Sequence, residues 1–145
     1  MDFEFLLKLV TPVSAIVGAL SLLFGFRVYR RQMNARMFLE YTKRYGEVMA
    51  SFPDDAYGAR LDLRGEAPPA SVEVSMAVLR YLNLCSEEYY LMRRGYLARD
   101  VWRIWEDELQ RTLRSPLVRR EWESLRREFT SFSEFVEYVE RTLKD

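Results

Sequence analysis

The apolar positions of this chain follow two different patterns. From Leu9 to Phe26, eighteen consecutive residues carry no charge (LVTPVSAIVGALSLLFGF), so this segment is uncharged on every side. As helix it would be about 27 Å long, close to the roughly 30 Å hydrocarbon core of a bilayer. Phe5, Leu6 and Leu7 extend it, and Lys8 can snorkel toward headgroups. Farther along the pattern becomes one-sided. Phe38, Tyr41, Tyr45, Val48 and Phe52 recur every three or four residues, which is one helical face. A single helix is expected from about Phe3 to about Phe52, leaving the bilayer near Arg27–Arg31. Pro12 either bends it or is tolerated near its start, and Pro53 ends it.

The rest of the chain keeps the helical period. Residues 53–70 hold three of the five prolines and two glycines, and they read as a loop with room for a short helical turn around Ala56–Leu61. A helix from about Ser71 to Arg94 carries the stripe Val78, Leu82, Cys85, Tyr89 and Met92, with Gly95 as its C-terminal cap. The next spans about Arg99 to Leu113, with Trp102, Trp105, Leu109 and Leu113 inward. Ser115-Pro116 opens a further helix bearing Val118, Trp122, Leu125 and Phe129. Ser131 and Glu134 have capping-box spacing for a last helix through Leu143, with Phe135, Val136, Val139 and Leu143 inward. The expected fold class is all-α, a long N-terminal transmembrane helix continuing into a small cytoplasmic helical bundle. The expected parts are a membrane anchor over 1–31, a cytoplasmic extension of the same helix over 32–52, a linker loop over 53–70 and a bundle over 71–145.

Charge sets the orientation. Asp2 and Glu4 precede the apolar run, and Arg27, Arg30, Arg31 and Arg36 follow it, so the positive-inside rule puts the N-terminus outside and the bundle in the cytoplasm. These arginines fix topology and also meet anionic headgroups. A secretory signal fits poorly, because the start is acidic and no small-x-small cleavage site follows Phe26. A buried helix of a soluble protein would need a larger core than 145 residues supply. The single cysteine, Cys85, forms no internal disulfide and agrees with a reducing compartment. Overall charge is balanced at 22 basic and 22 acidic residues, so net charge gives no reason to expect nucleic acid as a partner.

Candidate chemistry is sparse. The chain has no histidine, which removes Ser-His-Asp and Cys-His catalysis and the commonest transition-metal ligand. The acidic groups Asp54-Asp55, Glu87-Glu88 and Glu106-Asp107-Glu108 read as solvated faces and partners of arginine, since adjacent acids on a helix diverge. Arg111, Arg114, Arg119-Arg120 and Arg126-Arg127 read as a salt-bridged surface, broken up by Glu121, Glu123 and Glu128. Tyr89, Tyr96, Trp102, Trp105 and Trp122 either border a pocket or fill the core. The three tryptophans are most simply read as joining the Arg99–Leu113 helix to the one after it. In the apolar run, Thr11, Ser14, Gly18, Ser21 and Gly25 form a stripe of small residues spaced three, four, three, four. Such a stripe allows close helix–helix approach in a membrane.

The stretch LNLCSEEYYLMRRGYLARDVWRIW (Leu82–Trp105), followed by WESLRREF (Trp122–Phe129) and an aromatic-rich end, resembles a family of small bacterial single-pass membrane proteins of unknown function. That resemblance implies the architecture above and a bacterial inner-membrane location, and it carries no residue roles. The sequence points to a non-enzymatic module that contacts membrane lipid. It would self-associate or bind another membrane protein, as an accessory subunit or scaffold, with no cofactor and no metal. Two other classes stay open: an oligomeric pore-forming or membrane-perturbing effector, and a small-ligand sensor or enzyme with a pocket in the helical domain.

Overall fold

Helices form where the apolar period predicts them. The computed structural model describes the backbone of residues 3–144 and the side chains of residues 13–144. Its elements are α1 (Phe3–Met49), α2 (Asp54–Ala59), α3 (Val72–Arg93), α4 (Arg99–Leu113), α5 (Pro116–Leu125), a 3-10 turn (Arg126–Phe129) and α6 (Ser133–Thr142). The fold is all-α, and no strand occurs among the described residues. The chain divides into two compact units, Met1–Met37 and Phe38–Asp145.

The first unit consists of α1 residues. Every described side chain from Val13 to Met33 is exposed, including Leu22 at 68%, Phe24 at 71% and Phe26 at 66%. This helix is long and apolar enough to cross a membrane.

The second unit begins with the one-sided tail of α1. α1 ends at Met49, three residues before the expected Phe52. The chain tightens into i→i+3 bonds there, Ser51 N–H to Val48 O at 3.0 Å and Phe52 N–H to Met49 O at 3.2 Å. Ser51 Oγ also donates to Val48 O at 2.7 Å, which helps close the last turn before Pro53. The stretch expected to be a loop contains α2, starting two residues ahead of the anticipated turn. Asp54 and Asp55 lie in its first turn, where their charge suits the helix dipole.

α3 is the central helix, packed against α4, α5 and α6. Ser71 caps its start by accepting Val74 N–H at 3.2 Å. At its end Gly95 adopts φ 73°, a left-handed conformation that costs glycine little. Leu91 O then accepts Tyr96 N–H at 2.9 Å and Met92 O accepts Gly95 N–H at 3.0 Å, which is a Schellman closure. Ser115 both accepts Val118 N–H at 3.3 Å and donates to Thr112 O at 2.8 Å, joining α4 to α5.

The capping box expected at Ser131 and Glu134 is not formed. α6 starts at Ser133 after Phe132, which provides no side-chain cap, and Glu134 instead accepts Arg93 Nε–H at 3.0 Å. Aromatic packing sets the local geometry. Phe129, buried at the end of the 3-10 turn, and Phe135 in α6 meet with ring centroids 5.8 Å apart, and the segment between them is a tight turn in which Phe132 N–H bonds Phe129 O at 2.8 Å.

The core is filled by Tyr81, Leu82, Leu109, Leu113, Leu117, Phe129 and Phe135, with Val78, Val118 and Val139 between them. Leu117 and Tyr138 are buried although the expected stripes omit them, and Val136 and Leu143 are only half-buried.

Phe135→Ala is expected to cost about 3–5 kcal/mol, because it empties the centre of the aromatic cluster. Tyr96→Ala, on an exposed residue, is expected to stay within about 0.5 kcal/mol. Urea unfolding of the full chain in detergent, followed by tryptophan fluorescence, checks both.

Candidate functional site

The five aromatics singled out in the sequence do not form one site. Tyr89 and Trp102 are buried and meet edge-on, with centroids 5.8 Å apart, and each contacts Tyr138. Trp122 packs on Phe129 at 5.7 Å and on Phe135 at 6.4 Å. Trp105 points elsewhere: it is half-buried, stacks on Phe38 at 6.0 Å and meets Tyr41 at a tilt, with centroids 5.5 Å apart. Their ring–ring contacts do not run directly between α4 and α5. Trp102 serves α3 and α6, Trp122 serves the C-terminal aromatics, and Trp105 serves the α1 tail. Tyr96 is 65% exposed. A cleft of 210 Å³ lies beside Tyr89, lined by Ser86, Tyr90, Arg94, Phe132 and Phe135. It is smaller than the ~300 Å³ at which drug-sized ligand pockets begin.

In the first unit, Ser14, Gly18, Ser21 and Gly25 are exposed, and a Cβ added at Gly18 or Gly25 meets nothing within 4 Å. The side chain of Thr11 lies outside the described residues. Exposure is similar all round the helix, so side-chain size alone sets the stripe apart. Ser21 Oγ donates to Val17 O at 2.8 Å, so its proton is used within its own helix. Arg27, Arg30, Arg31 and Arg36 are exposed.

The most concentrated chemistry lies where the α1 tail meets α3 and α4, at residues read from the sequence as solvated acids. Glu87 is the surface member: it takes both arms of Arg44, at 2.6 and 3.1 Å, and Tyr41 OH at 3.5 Å. Its neighbour Glu88 turns inward and is buried. Glu108 accepts three hydroxyls, from Tyr81 at 2.7 Å and from Tyr45 and Thr112 at 3.1 Å each. Glu121 is also buried, bonded by Ser75 Oγ at 2.6 Å and by Arg120 at 2.7 and 2.9 Å, while Arg120 also donates to Pro68 O. The solvated-acid expectation thus fails for Glu88, which is buried, and in part for Glu108, which is half-buried, while Glu121 keeps the expected salt bridge to an arginine but is buried. Each stands next to an apolar stripe position, so its side chain is drawn toward the interior.

Burial and the charge on Glu108 push the Glu88 carboxyl up to about 8. Arg44 pulls it back, and Glu87 adds to the rise. Burial also raises the Tyr81 phenol and the Cys85 thiol well above their usual ranges. Cys85 is therefore a neutral thiol at neutral pH, with little nucleophilic character. Among the described residues, no group of three or more Cys, Asp and Glu is arranged to hold a metal ion. The arrangement can bind and release one proton at Glu88.

A signal for Glu88 and Glu108 existed in the spacing. Glu88 lies three residues after Cys85 and seven after Tyr81, and Glu108 lies three after Trp105 and four before Thr112. Comparison with protein-family models, with curated proteins and with solved structures gave no match. The roles assigned to these residues therefore rest on this chain's own chemistry.

The Glu88 carboxyl holds its proton more tightly in the folded chain than in the unfolded one. Its contribution to stability is fully present below the unfolded value of 4.5 and is lost as pH rises toward about 8. At about 1.4 kcal/mol per pH unit this is a loss of a few kcal/mol. Glu88→Gln is expected to flatten that slope and to stabilise the domain at pH 8. Denaturant midpoints of both proteins between pH 5 and pH 9 measure it.

Proposed function

We propose that this chain is a single-pass protein of a bacterial inner membrane, with its N-terminus outside and its helical domain in the cytoplasm. It acts there as a non-enzymatic module that self-associates or binds a partner membrane protein. The observation that carries this reading is the first unit, where large apolar side chains are exposed on every side of one helix. Water penalises such a surface by about 25 cal/mol per Å², and lipid does not. The second unit supports the rest, because its interior is filled mainly by aromatic and aliphatic side chains from Phe52 onward. Association between spans relies on small residues and close backbone approach, which is what Ser14, Gly18, Ser21 and Gly25 provide. No specific observation favours the pore reading.

Two experiments test this. The protein is expected in the membrane fraction and to resist extraction at alkaline pH; recovery as a folded, soluble monomer would end the proposal. In a Cys85→Ala background, Asp2→Cys should react with a membrane-impermeant maleimide in intact spheroplasts, and Ser124→Cys only after lysis. For self-association, Gly18→Ile is expected to convert a detergent-solubilised oligomer to monomer, read by sedimentation.

A further inference from the structure

The cleft beside Tyr89 does not stand alone. A second cavity, of 410 Å³, shares Tyr90 and Phe132 with it, so those two rings are walls of both. The rest of the second cavity is lined by Tyr41, Leu91 and Glu87. The two make one trough across the α1 tail, α3 and the start of α6. Both shared rings stand partly in water, Tyr90 at 46% exposure and Phe132 at 40%. Small-molecule sites combine such apolar walls with a few polar groups that fix orientation.

Charge is distributed unevenly along this trough. In the larger cavity the one charged wall is Glu87, which takes both arms of Arg44 at 2.6 and 3.1 Å. In the smaller one Glu134 accepts Arg93 Nε–H at 3.0 Å. Both acids are thus matched by an arginine. Arg94 is not matched: it makes no salt bridge among the described residues, and it lies over the Tyr90 ring, 5.1–5.5 Å being the usual reach of such a contact only when the ring is close by, here 5.3 Å from the centroid. Ser131 and Ser133 bring hydroxyls to the same cleft. One end of the trough therefore holds an unmatched cation with two hydroxyls, and the other end is aromatic and aliphatic.

We propose that the trough binds a single-chain fatty acid, with the alkyl chain between Tyr41, Leu91, Tyr90 and Phe132 and the carboxylate on Arg94. One guanidinium fork matches one carboxylate through two parallel hydrogen bonds. A phosphate dianion calls for a second cation, and Arg44 and Arg93 are both engaged elsewhere. Every residue of the site lies within Phe38–Asp145, so it stands or falls separately from the membrane assignment. The chain supplies most of the affinity, up to about fourfold for each methylene taken out of water. The charged hydrogen bonds at Arg94 add about tenfold.

Photolabelling tests the site. The full chain is kept in solution by an amphipathic polymer, because detergent monomers would compete for the trough. It is irradiated with laurate carrying a diazirine on its last carbon, below saturation, and the labelled peptides are read by mass spectrometry. Label is expected on the peptides of Tyr41 and Leu91, to be removed by excess plain laurate and to survive the same concentration of acetate. Arg94→Gln, a change at an exposed residue, is expected to lower that label about tenfold, and Arg94→Lys to lower it less. The matching diazirine alcohol, which has the chain without the charge, is expected to label these peptides about tenfold less than the acid. Label absent from these walls, label displaced by acetate, or label unchanged in Arg94→Gln would overturn the site. Displacement by dodecyl phosphate at lower concentration than by laurate would overturn the choice of a carboxylate.

Discussion

A helix that is apolar all round has to be surrounded by something equally apolar, and that constraint governs how the rest of the chain is organised. Side chains from Val13 to Phe26 include Ile, Val, Leu and Phe at more than half exposure, without a charged residue among them. A soluble helix of this length normally keeps a polar side for water. Here charge returns only at Arg27, and apolar residues become one-sided only from Phe38. The same helix therefore carries two side-chain patterns in succession. The division into units after Met37 falls where the second pattern begins.

The bundle meets the opposite requirement, which is to build a core from short helices. α5 and α6 each have ten residues, too few to be stable alone in water. Aromatic side chains make up for this. Tyr89, Trp102, Trp122, Phe129, Phe135 and Tyr138 form a connected set of rings with centroids 5.0–6.5 Å apart, drawn from α3, α4, α5, the 3-10 turn and α6. Each ring buries much area per residue and adds a directional contact. Such a core also fixes chain direction locally: the Phe129–Phe135 contact accompanies a start of α6 without the available Ser131 cap.

Elements governed by period and punctuation were legible in the sequence. Ser71, Gly95 and Ser115-Pro116 mark helix ends, and the structure uses each of them as a cap. What was not legible depends on which neighbour a side chain meets. Trp105 has the spacing of Trp102, Leu109 and Leu113, yet it turns to the α1 tail, where it stacks on Phe38 and meets Tyr41 at a tilt. Glu88 looks like half of an exposed acidic pair. Only the tertiary packing shows that the roughly 100° between neighbouring residues on a helix sends one carboxylate to Arg44 and the other inside. For the small-residue stripe, one chain offers no neighbour to select a face.

Where the α1 tail meets α3 and α4, most charged side chains have partners. Arg60 is buried, donates to Tyr57 O and lies over the Tyr57 ring at 4.1 Å, while the Tyr45 hydroxyl donates to Glu108. Arg60 keeps one wholly buried nitrogen, Nε, without a hydrogen-bond partner. Glu87 and Arg44 settle each other directly. Once those pairs are made, a leucine or methionine at 88 would fill the remaining space without any desolvation cost, and replacements of buried charge by packed apolar groups are often neutral or stabilising. A carboxyl group at that position is therefore a poor choice for making the domain as stable as possible, and the Glu88→Gln comparison reads that cost directly.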